Sequence, residues 1–177
     1  MSNILVNTIK DTGNNTLLSS DGSGSVTLGS GFPTNTPSWR VGITTQSVAY
    51  NTDTKLQYNR EHQDTDSAYD TSNYRFTVPT GKGGTYLIGA WVRIGTGTDL
   101  EAFYILPKVN GSNVENNEQL RGTAVNNSYN VVSMTGTLQL SAGDYLEIYG
   151  GQAAVNSNFD FGYSNEGMFW GYKIIGA

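Results

Sequence analysis

The stretch TSNYRFTVPTGKGGTYLIGAWVRI, residues 71–94, decides the fold class. Phe76 and Val78 alternate with Arg75 and Thr77, Pro79 stops the run, and the glycine-rich TGKGG turns the chain. From residue 85 a second run puts Tyr86, Ile88, Ala90, Val92 and Ile94 on one face, while Leu87, Gly89, Trp91 and Arg93 point the other way. Alternation of this kind is the signature of a strand. Tyr74, Phe76, Tyr86 and Ile88 are expected to fill the inside of a sandwich. Leu87 and Trp91 make the second face too apolar to stand in water, so it needs cover.

The same grammar extends along the chain. Residues 41–50 and 54–59 read as strands, and a longer one over 101–109 ends at Asn110-Gly111, the pair that suits a two-residue hairpin. Residues 131–140 alternate, SAGD turns, and 145–149 return. The closing MFWGYKIIGA sets Phe169 and Ile175 on one face and Trp170, Tyr172 and Ile174 on the other. With 22 glycines and 11 tyrosines in 177 residues, the composition suits short strands and tight turns better than helices. The expected fold is all-β, one antiparallel sandwich over residues 39–177. Both faces of the strand at 85–94 and of the last strand are apolar, and a domain of this size builds one two-layer core. A second copy would supply the missing cover, which points to a homo-oligomer with Leu87, Trp91, Trp170 and Tyr172 at its interface.

Residues 1–38 differ in kind. DTGNNTLLSSDGSGSVTLGSGFPTNTP, residues 11–37, has few bulky side chains and two apolar islands, Leu17-Leu18 and Val26-Thr27-Leu28. Ordering a backbone costs ~1–2 kcal/mol per residue, which so little apolar surface cannot offset. The segment therefore reads as an extended attachment arm held by something outside the chain, with Ile4, Val6, Ile9, Leu17 and Leu18 as its grip. The alternative is that it folds back on its own domain.

The search for chemistry excludes more than it finds. A net charge of −5 argues against nucleic acid as a partner, no run is long enough for membrane insertion, and the opening residues do not read as a secretion signal. There is no cysteine, and the single His62 has no second histidine beside it for a zinc site. Asp64, Asp66 and Asp70 are candidate metal ligands, although Tyr69 and Arg75 stand where a helix-loop-helix calcium loop needs Gly and Glu. For glycoside hydrolysis, Asp64 with Asp66, Glu115 with Glu118, and Glu147 with Asp160 can be nominated without a motif to select among them. The glycine-rich GTGTDL and GKGGT precede no helix and read as loops, not phosphate cradles. No cofactor is expected, and the chain does not read as an enzyme. Tyr129 and Tyr163, in predicted loops, are candidate contacts for a host-surface glycan.

Four pieces in order, YDTSNYRFTVPTGKGGTYLIGAWV, YILPKVNGS, LQLSAGDYLEIY and FWGYKI, resemble the jelly-roll family shared by the globular heads of complement subcomponent C-one-q and the tumour necrosis factor ligands. The resemblance implies a roll of about ten antiparallel strands that assembles as a compact homotrimer through aromatic-rich strands. TGKGG is longer than the family's usual turn, and no collagen-like stalk precedes the domain. The leading NTIKDTGNNTLLSSDGSGSVTL instead resembles the first segments of structural proteins of tailed bacteriophages, especially marine ones. Together these imply a virion-surface protein, either capsid decoration or short fibre, joined to other virion proteins through residues 1–38. The rival expectation is a module that recognises host glycans through its loops; a third is an enzyme that cuts surface polysaccharide.

Overall fold

A computed structural model of the protein describes residues 7–29, 35–95, 103–114, 122–124 (backbone), 130–152 and 158–174. The chain divides into two compact units, Met1–Thr34 and Asn35–Ile175.

In the first unit, three strands form an antiparallel meander: β1 (Thr8–Lys10), β2 (Thr16–Ser20) and β3 (Val26–Leu28). A segment that reads as a tether thus carries a sheet. Its two apolar islands meet across the ladder, with Leu18 opposite both Ile9 and Leu28. Aspartates fix the turns. The Asn15 carboxamide and backbone N–H both donate to Asp11, and the Ser23 hydroxyl and N–H both donate to Asp21, which holds the two carboxyls below the usual carboxylate range. Ile9, Val26 and Leu28 stay exposed, so turns and ladder rather than a core define this sheet. Leu17 and Leu18 are half-buried in β2; Ile4 and Val6 lie outside the described residues.

The second unit runs β4 (Ser38–Ile43), β5 (Gln46–Val48), β6 (Thr54–Lys55), β7 (Tyr58–Asp64), β8 (Tyr69–Asp70), β9 (Arg75–Thr77) and β10 (Gly84–Ile94). It continues with β11 (Phe103–Val109), β12 (Ser112–Asn113), β13 (Gly122–Ala124), β14 (Asn130–Leu140), β15 (Tyr145–Gln152), β16 (Phe159–Phe161) and β17 (Gly167–Lys173). Two antiparallel sheets result. The first has the order β14-β10-β17-β4-β7, with β16 and β5 continuing it from the far end of β10. The second has the order β12-β11-β15-β9-β8, with β13 on β11 and β6 on β15. The outermost strands in sequence, β4 and β17, lie side by side, and the whole is a jelly roll.

Where sequence predicts one strand over 41–50, the chain breaks at Thr44 and Thr45, whose hydroxyls donate to Asn59 Oδ1 at 2.6 Å and to the Gly162 carbonyl at 2.7 Å. The run at 54–59 splits as well, because β6 belongs to the second sheet and β7 to the first. These divisions raise the segment number above ten. Tyr74 does not join the core as expected: it turns the chain at φ 53 and is half-buried, and β9 starts after it.

The core is aromatic. Trp39 stacks on Phe76 at 3.7 Å and meets the edge of Phe169 at 5.5 Å, while Phe103 meets Phe161 at 5.8 Å. Tyr86, Ile88, Ala90, Val92 and Ile94 all point inward from β10, as their spacing predicts. Each large side chain buried there contributes ~1.5–3 kcal/mol. Asn110 and Gly111 turn the β11–β12 hairpin with φ of 52 and 77, the left-handed pair that such a tight turn requires.

Candidate functional site

Because β10 buries one face, its alternate residues lie on the outside of the first sheet. There Leu87 stands opposite Tyr172, Gly89 opposite Trp170, and Trp91 opposite Met168. Gly89 is required by close approach, since a Cβ at that position would run into the Trp170 indole, which lies flat over it. The Trp170 and Tyr172 rings are nearly parallel, 6.4 Å apart at 20°. All five side chains are half-buried. The band they form is bordered by exposed Ser133, Thr135 and Thr137 of β14 and by exposed Arg40 of β4 and Gln63 of β7. An apolar centre with a polar rim is the anatomy of a protein interface. Sequence periodicity names Leu87, Trp91, Trp170 and Tyr172 and sets Gly89 on the same face; Met168, and the seat that Gly89 makes for Trp170, become visible only through the β10–β17 register.

The outside of the second sheet is polar. Glu147, 4 % exposed, accepts an ion-paired hydrogen bond from Lys55 at 2.8 Å, and Lys55 also donates to the Asn73 carbonyl. The Tyr149 hydroxyl donates to the same glutamate at 3.3 Å; burial first and Glu147 second push that phenol up. Lys108 sits 4.2 Å over the Tyr149 ring and pairs with Asp53 at 3.3 Å, which also accepts the Tyr104 hydroxyl at 2.6 Å. Sequence reasoning misses this network, because its members come from three strands and two loops.

Two of the candidate metal ligands, Asp64 and Asp70, brace turns, and the third, Asp66, faces a lysine. Asp64 accepts backbone N–H groups from Ala68 at 3.0 Å and Tyr69 at 2.8 Å, Asp66 lies 3.6 Å from Lys82, and Asp70 caps Ser72 and Asn73. The Asn73 carboxamide, followed by these N–H groups, holds Asp70 below the usual carboxylate range. Among the described residues no group of three or more His, Asp and Glu side chains is placed to hold a metal. Of the nominated carboxylate pairs, Glu147 and Asp160 lie in different sheets, and Glu115 and Glu118 fall outside the described residues. His62 is an exposed strand residue of β7. Tyr163 is exposed in the turn Tyr163–Asn165 between β16 and β17; Tyr129 lies outside the described residues.

Solved structures with a similar fold include the following two proteins. The globular domain of zebrafish complement 1qA matches with a TM-score of 0.54 at 16% identity, over 78% of this chain and 97% of that one. Murine APRIL matches with a TM-score of 0.53 at 15% identity, over 77% and 98%. In sequence, the chain is 31% identical over 115 residues to the uncharacterized protein YqcC of Bacillus subtilis, and 34% identical over 109 residues to XkdV, a protein of the phage-like element PBSX of the same organism. Those matches take in 60% and 59% of this chain but 31% and 16% of the relatives' own lengths. No protein-family model matches.

Proposed function

We propose that this chain is a non-enzymatic structural protein on the surface of a tailed-phage virion, in which three copies pack through the Leu87–Trp91–Trp170–Tyr172 face and residues 1–38 join the head to a capsid or tail partner. The aromatic band is the observation that carries the reading. A side-by-side Trp170 and Tyr172 fitted over a glycine presents a rigid apolar surface, and burying it against a second copy gains free energy at little conformational cost. The jelly-roll likeness to complement 1qA and APRIL supports a head of this kind, and the similarity to XkdV supports a phage setting. Capsid decoration and short fibre are both served by such a head.

Native mass spectrometry tests the assembly: a species of three 19.1 kDa chains is expected. Imaging particles with and without the protein tests its place, and density absent from every outer surface of the complete particle would overturn it.

A further inference from the structure

Beyond that role, and independent of it, the far end of the first sheet carries a small built cavity. Gly95 donates its N–H to the Asp160 carbonyl at 2.8 Å and Gly162 donates to the Arg93 carbonyl at 2.8 Å, so β16 is laid against the end of β10. The turn that follows is strained: Ser164 and Asn165 are left-handed at φ 58 and 60. Its surroundings hold it in place. The Thr45 hydroxyl donates to the Gly162 carbonyl at 2.7 Å, and Arg60 donates to the Asn165 carbonyl at 3.1 Å.

This bracing presents Tyr163, 40 % exposed, with the Arg93 guanidinium 5.2 Å over its ring and tied to Glu166 at 3.0 Å. Beside the ring lies a cavity of about 330 Å³ lined by Gly95, Asn158, Phe159, Asp160 and Tyr163. A Cβ on Gly95 would press on Tyr163 Cδ2 at 3.3 Å and on Asp160 Cβ at 3.4 Å, so glycine lets the two walls draw together.

We infer that this cavity binds one neutral sugar residue of a surface glycan. Its volume is near the lower end of the ~300–1,000 Å³ range of ligand pockets, which suits a single ring. The Tyr163 ring offers an apolar face for the C–H side of a pyranose, while the Phe159 ring turns away to meet Phe103 in the core. The Asp160 carboxylate accepts hydrogen bonds from sugar hydroxyls, and the Asn158 carboxamide both donates and accepts. A carboxylate in the wall of a chain with net charge −5 disfavours acidic sugars and phosphorylated ligands. Arg93 already occupies the ring as its cation, which disfavours a cationic guest.

Saturation-transfer NMR on the full chain, with the methyl glycosides of glucose, galactose and N-acetylglucosamine as neutral probes and sialic acid as the anionic one, tests this. Saturable transfer from at least one neutral probe is expected, with a Kd on the millimolar scale. Tyr163→Ala should weaken it about tenfold or more, corresponding to ~1.4 kcal/mol, whereas Tyr163→Phe should keep it. Asp160→Ala, an exposed change that leaves the Arg93 and Tyr163 contact in place, should weaken it even if Tyr163→Ala disturbs the turn. Absence of saturable transfer from all neutral probes, equal binding of sialic acid, or affinity unchanged in both alanine variants would overturn the assignment.

Discussion

Three tyrosines show how single groups are held. Tyr58, Tyr69 and Tyr86 donate their hydroxyls to the carbonyls of Trp91 (3.1 Å), Tyr58 (2.8 Å) and Lys82 (2.6 Å). Loss of water pushes Tyr86 up to about 12 and raises Tyr58 and Tyr69 as well. In the unfolded chain a tyrosine ionises near pH ~10. Above that pH the unfolded chain sheds protons that the folded one keeps, so stability is intact below pH ~10 and drains away as pH rises through about 12. Thermal melts from pH 8 to 12 should show the midpoint falling over this window, more gently in Tyr86→Phe; a flat profile would contradict it. At Gly89 the constraint is space. Gly89→Ala should displace the Trp170 indole and cost ~1–3 kcal/mol in urea titrations, and an unchanged midpoint would mean that the ring does not rest there.

Between elements, the Lys55 and Glu147 pair ties β6 to β15. Removing one partner of a fully buried pair costs ~3–5 kcal/mol, but Lys55 is a third exposed and water screens what remains. Lys55→Met should therefore destabilise by less than that range, and adding Glu147→Leu should recover part of the loss; a double variant at least as destabilised as the sum of the singles would refute the coupling. At this scale sequence is a partial guide. The inward set of β10 and the Asn110-Gly111 turn are written in local alternation and turn chemistry. The crossing from β6 to β7 is not, because residues 54–59 keep a strand-like pattern while the backbone changes sheets. The leading meander escapes for another reason: its apolar islands are too small to announce themselves until β2 and β3 pair. Likewise Trp91 is legible from spacing, whereas the seat of Trp170 on Gly89 depends on a register that no local pattern encodes.

For the whole molecule the predictions concern assembly. In the proposed trimer, Trp91→Arg places a charge in the middle of the band and should shift the equilibrium toward monomer about 30-fold or more at fixed concentration, matching a loss of ~2 kcal/mol per interface. Sedimentation of wild type and variant at identical positions would remove the band from the interface. Deletion of residues 1–37 should leave the trimer whole and prevent its incorporation into particles; truncated protein found on virions would separate attachment from that segment. The chain's three tryptophans also divide by setting, one sealed at 2 % exposure in the core and two, Trp91 and Trp170, half-open on the outer face. Their fluorescence therefore has two compartments: a quencher such as acrylamide reaches the outer pair and spares Trp39, so protection of that pair would record the proposed docking of copies in real time, and loss of the remaining signal records melting of the interior.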